Sequence, residues 1–376
     1  MDNKTRKAQS GFALIMVAFI LGLVAAAIIL NTFSPAAMRN AREQKTAESL
    51  MLAKSALIAY ATTANLTSLC TTSCNRPGEL PCPDTNNDGI AEVSCALPAQ
   101  HLGRLPYKTL GLDDIRDGYG ERLWYAVSNS FINSPRIFPL NSDTIGTITI
   151  RDSQGTVINN GTDMSGAIAV IFAPGAALTR TDGVTQVRDL ANENNPINYL
   201  DNSLSEDNAT FIDGSATDGF IMGDIKSNTG TLLLNDRLAV ITHDDLFPLV
   251  EARVVAEVST ALQTYFTITT NPNSFFPNAA SFNDVSCLGV GNIAGCASIP
   301  GSMRGRIPAN PTTGWDASSI LSGDATNSWF QQNAWREVVY YGVSSACAEG
   351  TANCVEGNLT LVNALTSPTY NKKVII

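Results

Sequence analysis

The sequence predicts an α+β fold: a long N-terminal helix packed on an antiparallel sheet, followed by a second helix-plus-sheet lobe that looks like an internal repeat. Three observations carry this. Gly11 to about Asn65 reads as one helix, its first half apolar and its second half amphipathic. Short apolar or alternating runs bounded by turn residues follow it, as strands do. A set of segments then recurs in the same order beyond residue 242.

The helix comes first in the chain. Phe12 to Leu30 carries no charged side chain, and at about 1.5 Å per residue this run is about long enough to cross a hydrocarbon layer. Lys4, Arg6 and Lys7 precede it, which predicts a cytoplasmic N-terminus, an inner-membrane span and a periplasmic globular part. A secretory signal cut near Ala25-Ala26-Ala27 and a permanent unprocessed anchor are the competing readings. From Ala36 to Tyr60 there is no glycine and no further proline, and Leu50, Ala53, Leu57 and Tyr60 mark one apolar face.

That face needs a sheet. The candidate strands are Arg122–Ser128 (RLWYAVS), Thr147–Arg151 (TITIR), Ala167–Phe172 (AIAVIF) and Arg237–Thr242 (RLAVIT). The polar segment Thr179–Gly230 reads as mostly loop. A second helix is predicted from Thr242 to about Thr267. Thr242 caps it, Asp244 and Asp245 sit in its first turn, and Leu246, Val250, Val254, Val258, Ala261 and Tyr265 recur at helical spacing.

With this helix the repeat begins. Ala261-Leu262-Gln263-Thr264-Tyr265 mirrors Ala56-Leu57-Ile58-Ala59-Tyr60, and a cysteine-bearing loop follows each. Gly305-Arg306-Ile307-Pro308 mirrors Gly103-Arg104-Leu105-Pro106, and Glu337–Ser344 mirrors Glu121–Ser128. Asn371–Ile376 then matches the start of the AIAVIF run, so Val374 and Ile375 are expected to pair in a second sheet.

Composition narrows the function. The 376 residues carry a formal charge of -10, and no basic face is available for nucleic acid. Charged residues are only 15%, which suits a loop-rich, strand-rich extracytoplasmic protein. The eight cysteines lie in close pairs: Cys70 and Cys74, Cys82 and Cys95, Cys287 and Cys296, Cys347 and Cys354. Short even spacing predicts disulfides in an oxidising compartment, with three pairings open to the first four cysteines. Zinc is the competing reading, but twin CxxC spacing is absent and neither His101 nor His243 completes a ligand pattern.

A basic leader, Gly11 directly before Phe12, the FALIM run and the apolar-then-amphipathic helix resemble the prepilin signal of type IV pilins and type II secretion pseudopilins. The resemblance implies cleavage by a prepilin peptidase between Gly11 and Phe12, methylation of Phe12, and assembly with other pilin or pseudopilin subunits through the helix. Pro35 resembles the helix-kinking proline of pilin stems. Met16 stands where most members have glutamate. A carboxylate in lipid is costly unless paired, so its loss suits a tip subunit with no neighbour above it; simple drift in a non-assembling relative is the alternative.

The sharpest site candidate is Asp84-Thr85-Asn86-Asn87-Asp88-Gly89-Ile90-Ala91-Glu92. Oxygen ligands at alternate positions and a glycine at the sixth resemble half of a calcium loop, with Asp84, Asn86, Asp88, the Ile90 carbonyl and Glu92 as donors. Cys95 replaces the glutamate expected at the twelfth position, and an acidic β-turn is the competing reading. The turn Asp113–Glu121 lacks this alternation and reads as solvated. No GxSxG, HExxH or GxxxxGK[ST] motif is present, so a catalytic role is not expected. The expected organisation is a leader (1–11), a stem helix (12–65, with 12–30 in the membrane), a first lobe (66–241) and a second lobe (242–376). The favoured function is a minor pilin or pseudopilin; the alternative is a membrane-anchored binding or hydrolytic protein.

Overall fold

The computed structural model describes residues 9–32, 35–66, 74–203, 206–211, 218–291, 293, 295–323, 328–351, 354, 359–363, 366–372 and 374–376. The α+β class holds, but the single long stem helix does not. Two helices stand in its place, α1 (Gln9–Thr32) and α2 (Pro35–Thr62). Pro35 is the first described residue of α2, where the fixed φ of proline is compatible with a helical turn. The expected span is corrected too. Among the described residues no helix is long and apolar enough to cross a membrane. This overturns the expectation of a single-pass inner-membrane protein.

The main sheet is antiparallel and four-stranded, in chain order β1 (Leu102–Arg104), β2 (Trp124–Val127), β3 (Ala169–Ala173) and β4 (Arg237–Ile241). Trp124 lies opposite Phe172 and Tyr125 opposite Ile171, and alternation along each strand sorts these side chains to two faces. Tyr125, Val127, Ala169 and Ile171 share one buried cluster with Leu50, Ala53 and Leu57 of α2. Trp124, Ala126, Val170 and Phe172 join a second cluster with Ile150, Leu200 and Phe220. Both faces are therefore covered, and each large side chain so buried contributes about 1.5–3 kcal/mol.

The buried stripe of α2 is partly polar: Thr46 and Ser49 belong to it. Thr46 accepts the Gly118 N–H at 3.0 Å and Ser49 donates to the Arg116 carbonyl at 2.7 Å. A Cβ on Gly118 would lie 2.1 Å from the Arg42 carbonyl oxygen, so glycine there lets the turn lie on the helix. The expected strand Thr147–Arg151 is reassigned. Only Ile150–Arg151 is strand, paired with Val157–Asn159 and Phe220–Ile221 in a small sheet outside the main one. Its apolar residues cover the outer face instead of extending the sheet.

The second helix, α3 (His243–Thr267), starts as its sequence requires: Thr242 and Asp245 form a capping box. Beyond it β5 (Arg304–Gly305), β6 (Tyr341–Val343) and β7 (Val374–Ile375) form a three-stranded sheet. The pairing expected for Val374 and Ile375 is present, opposite Val343 and Gly342. This sheet reproduces the bonding of the first. Gly103 lies opposite Tyr125 and Gly305 opposite Tyr341. Asp84 exchanges both backbone bonds with Arg104, and Ala280 does so with Arg306. The Leu80 amide donates to the Phe131 carbonyl and the Phe276 amide to that of Cys347. Tyr125 donates its hydroxyl to the Pro81 carbonyl at 3.2 Å, and Tyr341 to that of Pro277 at 2.8 Å.

The two frames share a core. α2 packs on β3, β4 and α3, and buried side chains from both halves form one contiguous cluster. Arg76, 2% exposed, crosses between them. Its guanidinium donates to the carbonyls of Ser130 and Ile132 and to Asn333 Oδ1 at 3.1 Å.

The glycines of the frames are constrained by space. A Cβ on Gly305 would fall 1.8 Å from the Ala280 carbonyl oxygen, whereas one on Gly342 meets nothing closer than 3.8 Å. Gly305→Ala is expected to cost about 2–3 kcal/mol in denaturant unfolding, and Gly342→Ala less than about 1 kcal/mol. Equal losses would contradict the assigned register.

Candidate functional site

The loop Asp84–Glu92 is the site the sequence singles out, and its geometry follows from one buried carboxylate. Asp84 is 1% exposed. Its Oδ1 accepts the amides of Asn86 (3.1 Å) and Asn87 (2.6 Å), and its Oδ2 accepts that of Gly89 (2.7 Å). Burial raises its pKa, against the lowering effect of these three amides. The following acceptors act locally in the same way. Asn86 Oδ1 takes the Asp88 amide at 3.0 Å, and Asp88 Oδ1 takes that of Ile90 at 2.7 Å. Glu92 Oε1 accepts from the amide and the hydroxyl of Thr85.

Alternate oxygens therefore serve a chain of turns that side-chain acceptors close onto the backbone. Asn87 and Gly89 both adopt positive φ, and a Cβ on Gly89 would strike the Tyr107 ring at 2.5 Å. The structure brings Asp84, Asn86, Asp88, Ile90 and Glu92 onto one loop. Among the described residues no group of three or more His, Cys, Asp or Glu is placed to hold a metal ion.

The disulfide Cys82–Cys95 closes the loop at its base. On its far side Arg122 donates to the carbonyl and to the side chain of Asn87, both at 2.9 Å. Beside it opens a cavity of about 390 Å³ whose lining includes Thr85, Pro98, Leu102, Trp124, Asn194 and Phe211. Arg104 also lines it. That guanidinium lies 4.2 Å from the Trp124 ring centre and 3.9 Å from that of Tyr199, and it donates to the carbonyls of Glu193 and Arg122. Burial pushes its pKa down to about 10. Bonded this way, Arg104 ties the sheet to the outer segment and is a structural cation.

The remaining sequence-predicted positions lie elsewhere. Gly11 and Phe12 fall within α1, with the Phe12 side chain outside the described residues; Met16 is half exposed. Three disulfides are formed among the described residues: Cys82–Cys95, Cys287–Cys296 and Cys347–Cys354. Cys74 is also disulfide-bonded, and Cys70 lies outside the described residues.

Buried carboxylates are what the sequence reading missed. The turn Asp113–Glu121 is not simply solvated. Asp117 is 3% exposed and accepts the amides of Tyr119, Glu121 and Gly175 at 2.8–2.9 Å. Burial raises its pKa despite those bonds. Asp201, within the stretch that reads as polar loop, and Asp236, just before β4, are completely buried. The Asp-x-Tyr-Gly spacing at 117–120 was a usable clue to an Asx turn; nothing in the pattern marked the other two.

Comparison with family models, with curated proteins and with solved structures gave no match.

Asp84→Ala removes the acceptor for three amides and is expected to cost about 1–3 kcal/mol of stability, equally in calcium and in chelator. A loss confined to calcium-containing buffer would instead assign the loop to cation binding.

Proposed function

We propose that this chain is a minor subunit of a type IV pilus or type II secretion pseudopilus, cut after Gly11 by a prepilin peptidase, methylated on Phe12, and assembled with other pilin or pseudopilin subunits. The observation that carries the reading is the conjunction of the leader with an uncovered apolar helix. On α1, Leu14 is 74% exposed, Phe19 65% and Leu21 63%. A contiguous apolar surface of this kind marks an interaction site, and association with like helices would bury it. The packing of α2 on an antiparallel sheet supports a pilin-type body, and the disulfides support maturation in an oxidising compartment. Met16 supports an end position, because an apolar side chain needs no amine from a subunit above it.

Mass spectrometry of the mature protein is expected to find methylated Phe12 at the N-terminus; an intact Met1 or a cut after Ala27 overturns the reading. Ile15→Asp with Phe19→Asp is expected to abolish co-purification with pilin-like subunits while leaving the melting temperature of the body within about 1–2 °C, since exposed substitutions change stability little. Retained co-purification would remove α1 from the assembly surface.

A further inference from the structure

The segment between β3 and β4 covers the outer face of the main sheet, and it is joined there by two carboxylates that the site described above does not use. Asp201 and Asp236 are each 0% exposed. Their bonds cross: the Asp201 amide donates to Asp236 Oδ2 at 2.8 Å, and the amide of Asn235 donates to Asp201 Oδ2 at 2.8 Å. Asn208 Nδ2 adds a bond to Asp236 Oδ2 at 2.9 Å, and Gln186 Nε2 one to Asp201 Oδ1 at 2.9 Å. Asn208 also exchanges bonds with the backbone of Ile221, so the cluster ties the cover to the strand Phe220–Ile221.

Every one of those donors is neutral. The nearby cations are committed elsewhere: Arg188 donates to the carbonyls of Gly175, Asn198 and Tyr199 and lies 3.5 Å from Glu121. Arg180 donates to the Leu200 carbonyl and pairs with Asp207 and Asp182. The remaining oxygen, Asp236 Oδ1, is buried with no hydrogen-bond partner. Two full negative charges enclosed with neutral donors repel each other in a poorly screened interior. A single proton removes one of the two charges and leaves the bonds from these neutral donors in place.

We propose that Asp236 holds a proton at neutral pH beside the Asp201 carboxylate, and that this proton is a pH-sensitive latch fastening the outer cover to the sheet. The directions agree with the geometry. Burial raises Asp201 to about 6. Burial, and then the charge of Asp201, holds Asp236 well above the usual carboxylate range. For an acid whose folded pKa is raised, the protonated form is bound more tightly by the folded state. The stabilisation is therefore complete below the unfolded value of about 4 and is lost as pH rises through the folded values. Loss of the proton would loosen residues 174–236 and uncover Trp124 and Phe172, while the α2 face of the sheet stays closed.

Thermal melts of wild type and Asp236→Asn at about pH 5 and about pH 8.5 test this. The asparagine keeps one acceptor and supplies an N–H where the proton would be. The wild-type midpoint is expected to fall by roughly 3–6 °C more than that of the variant across this range. Should Asp236→Asn fail to fold, infrared spectra of wild type at neutral pH are expected to show a protonated-carboxyl band that disappears as pH rises. Parallel melting curves, or absence of that band, overturn the proposal. So does a wild-type midpoint restored by calcium at the higher pH, which would make the occupant a cation.

Discussion

Burial of one sheet on both faces is the constraint from which the rest of the architecture follows. Tyr125 and Ile171 point toward α2 while their neighbours Trp124 and Phe172 point away, so a slip of one residue between β2 and β3 would exchange the two cores entirely. Neither face can stay bare. α2 closes one, and the outer segment between β3 and β4 closes the other with Leu200, Phe211 and Phe220. Phe172 meets Phe220 edge-on at 4.8 Å, and Arg104 is held between Trp124 and Tyr199. The outer segment has little regular structure, so polar side chains supply the bonds that strands would otherwise make. This is why Asp201, Asn208, Asp236 and Glu206 are all buried there.

The second half solves the same problem with less material. Its sheet has three strands, and its helix lies against α2. The bonds that Leu80, Asp84 and Tyr125 make are repeated by Phe276, Ala280 and Tyr341. One difference is informative. Where the first frame has Asp84, whose carboxylate accepts three loop amides, the second has Ala280, which has no side-chain acceptor.

What was legible in the sequence was whatever local chemistry dictates. The capping box of Thr242 and Asp245 announced α3. The matched GRLP and GRIP turns announced the frames because glycine at 103 and 305 is demanded by backbone contact. Illegible parts depended on which partner a segment would find. Alternation in TITIR is consistent with either face of either sheet, and Ile150 belongs to the outer cover. Asp117, Asp201 and Asp236 read as surface acids because burial of a carboxylate is decided by distant donors such as Gly175, Gln186 and Asn208. The oxygens of Asp84, Asn86 and Asp88 satisfied a ligand pattern and an Asx-turn pattern alike; the backbone amides of their own loop hold them.

The central claim is that both frames belong to one cooperative core joined through α2, α3 and the Arg76–Asn333 bond. Native-state hydrogen exchange followed amide by amide tests it most directly. The Arg104 and Arg306 amides, which make equivalent bonds in the two frames, are predicted to exchange only through the same global opening and with the same dependence on denaturant. Exchange of Arg306 through a separate opening of markedly lower free energy, with Arg104 still protected, would show two independent units and contradict the account.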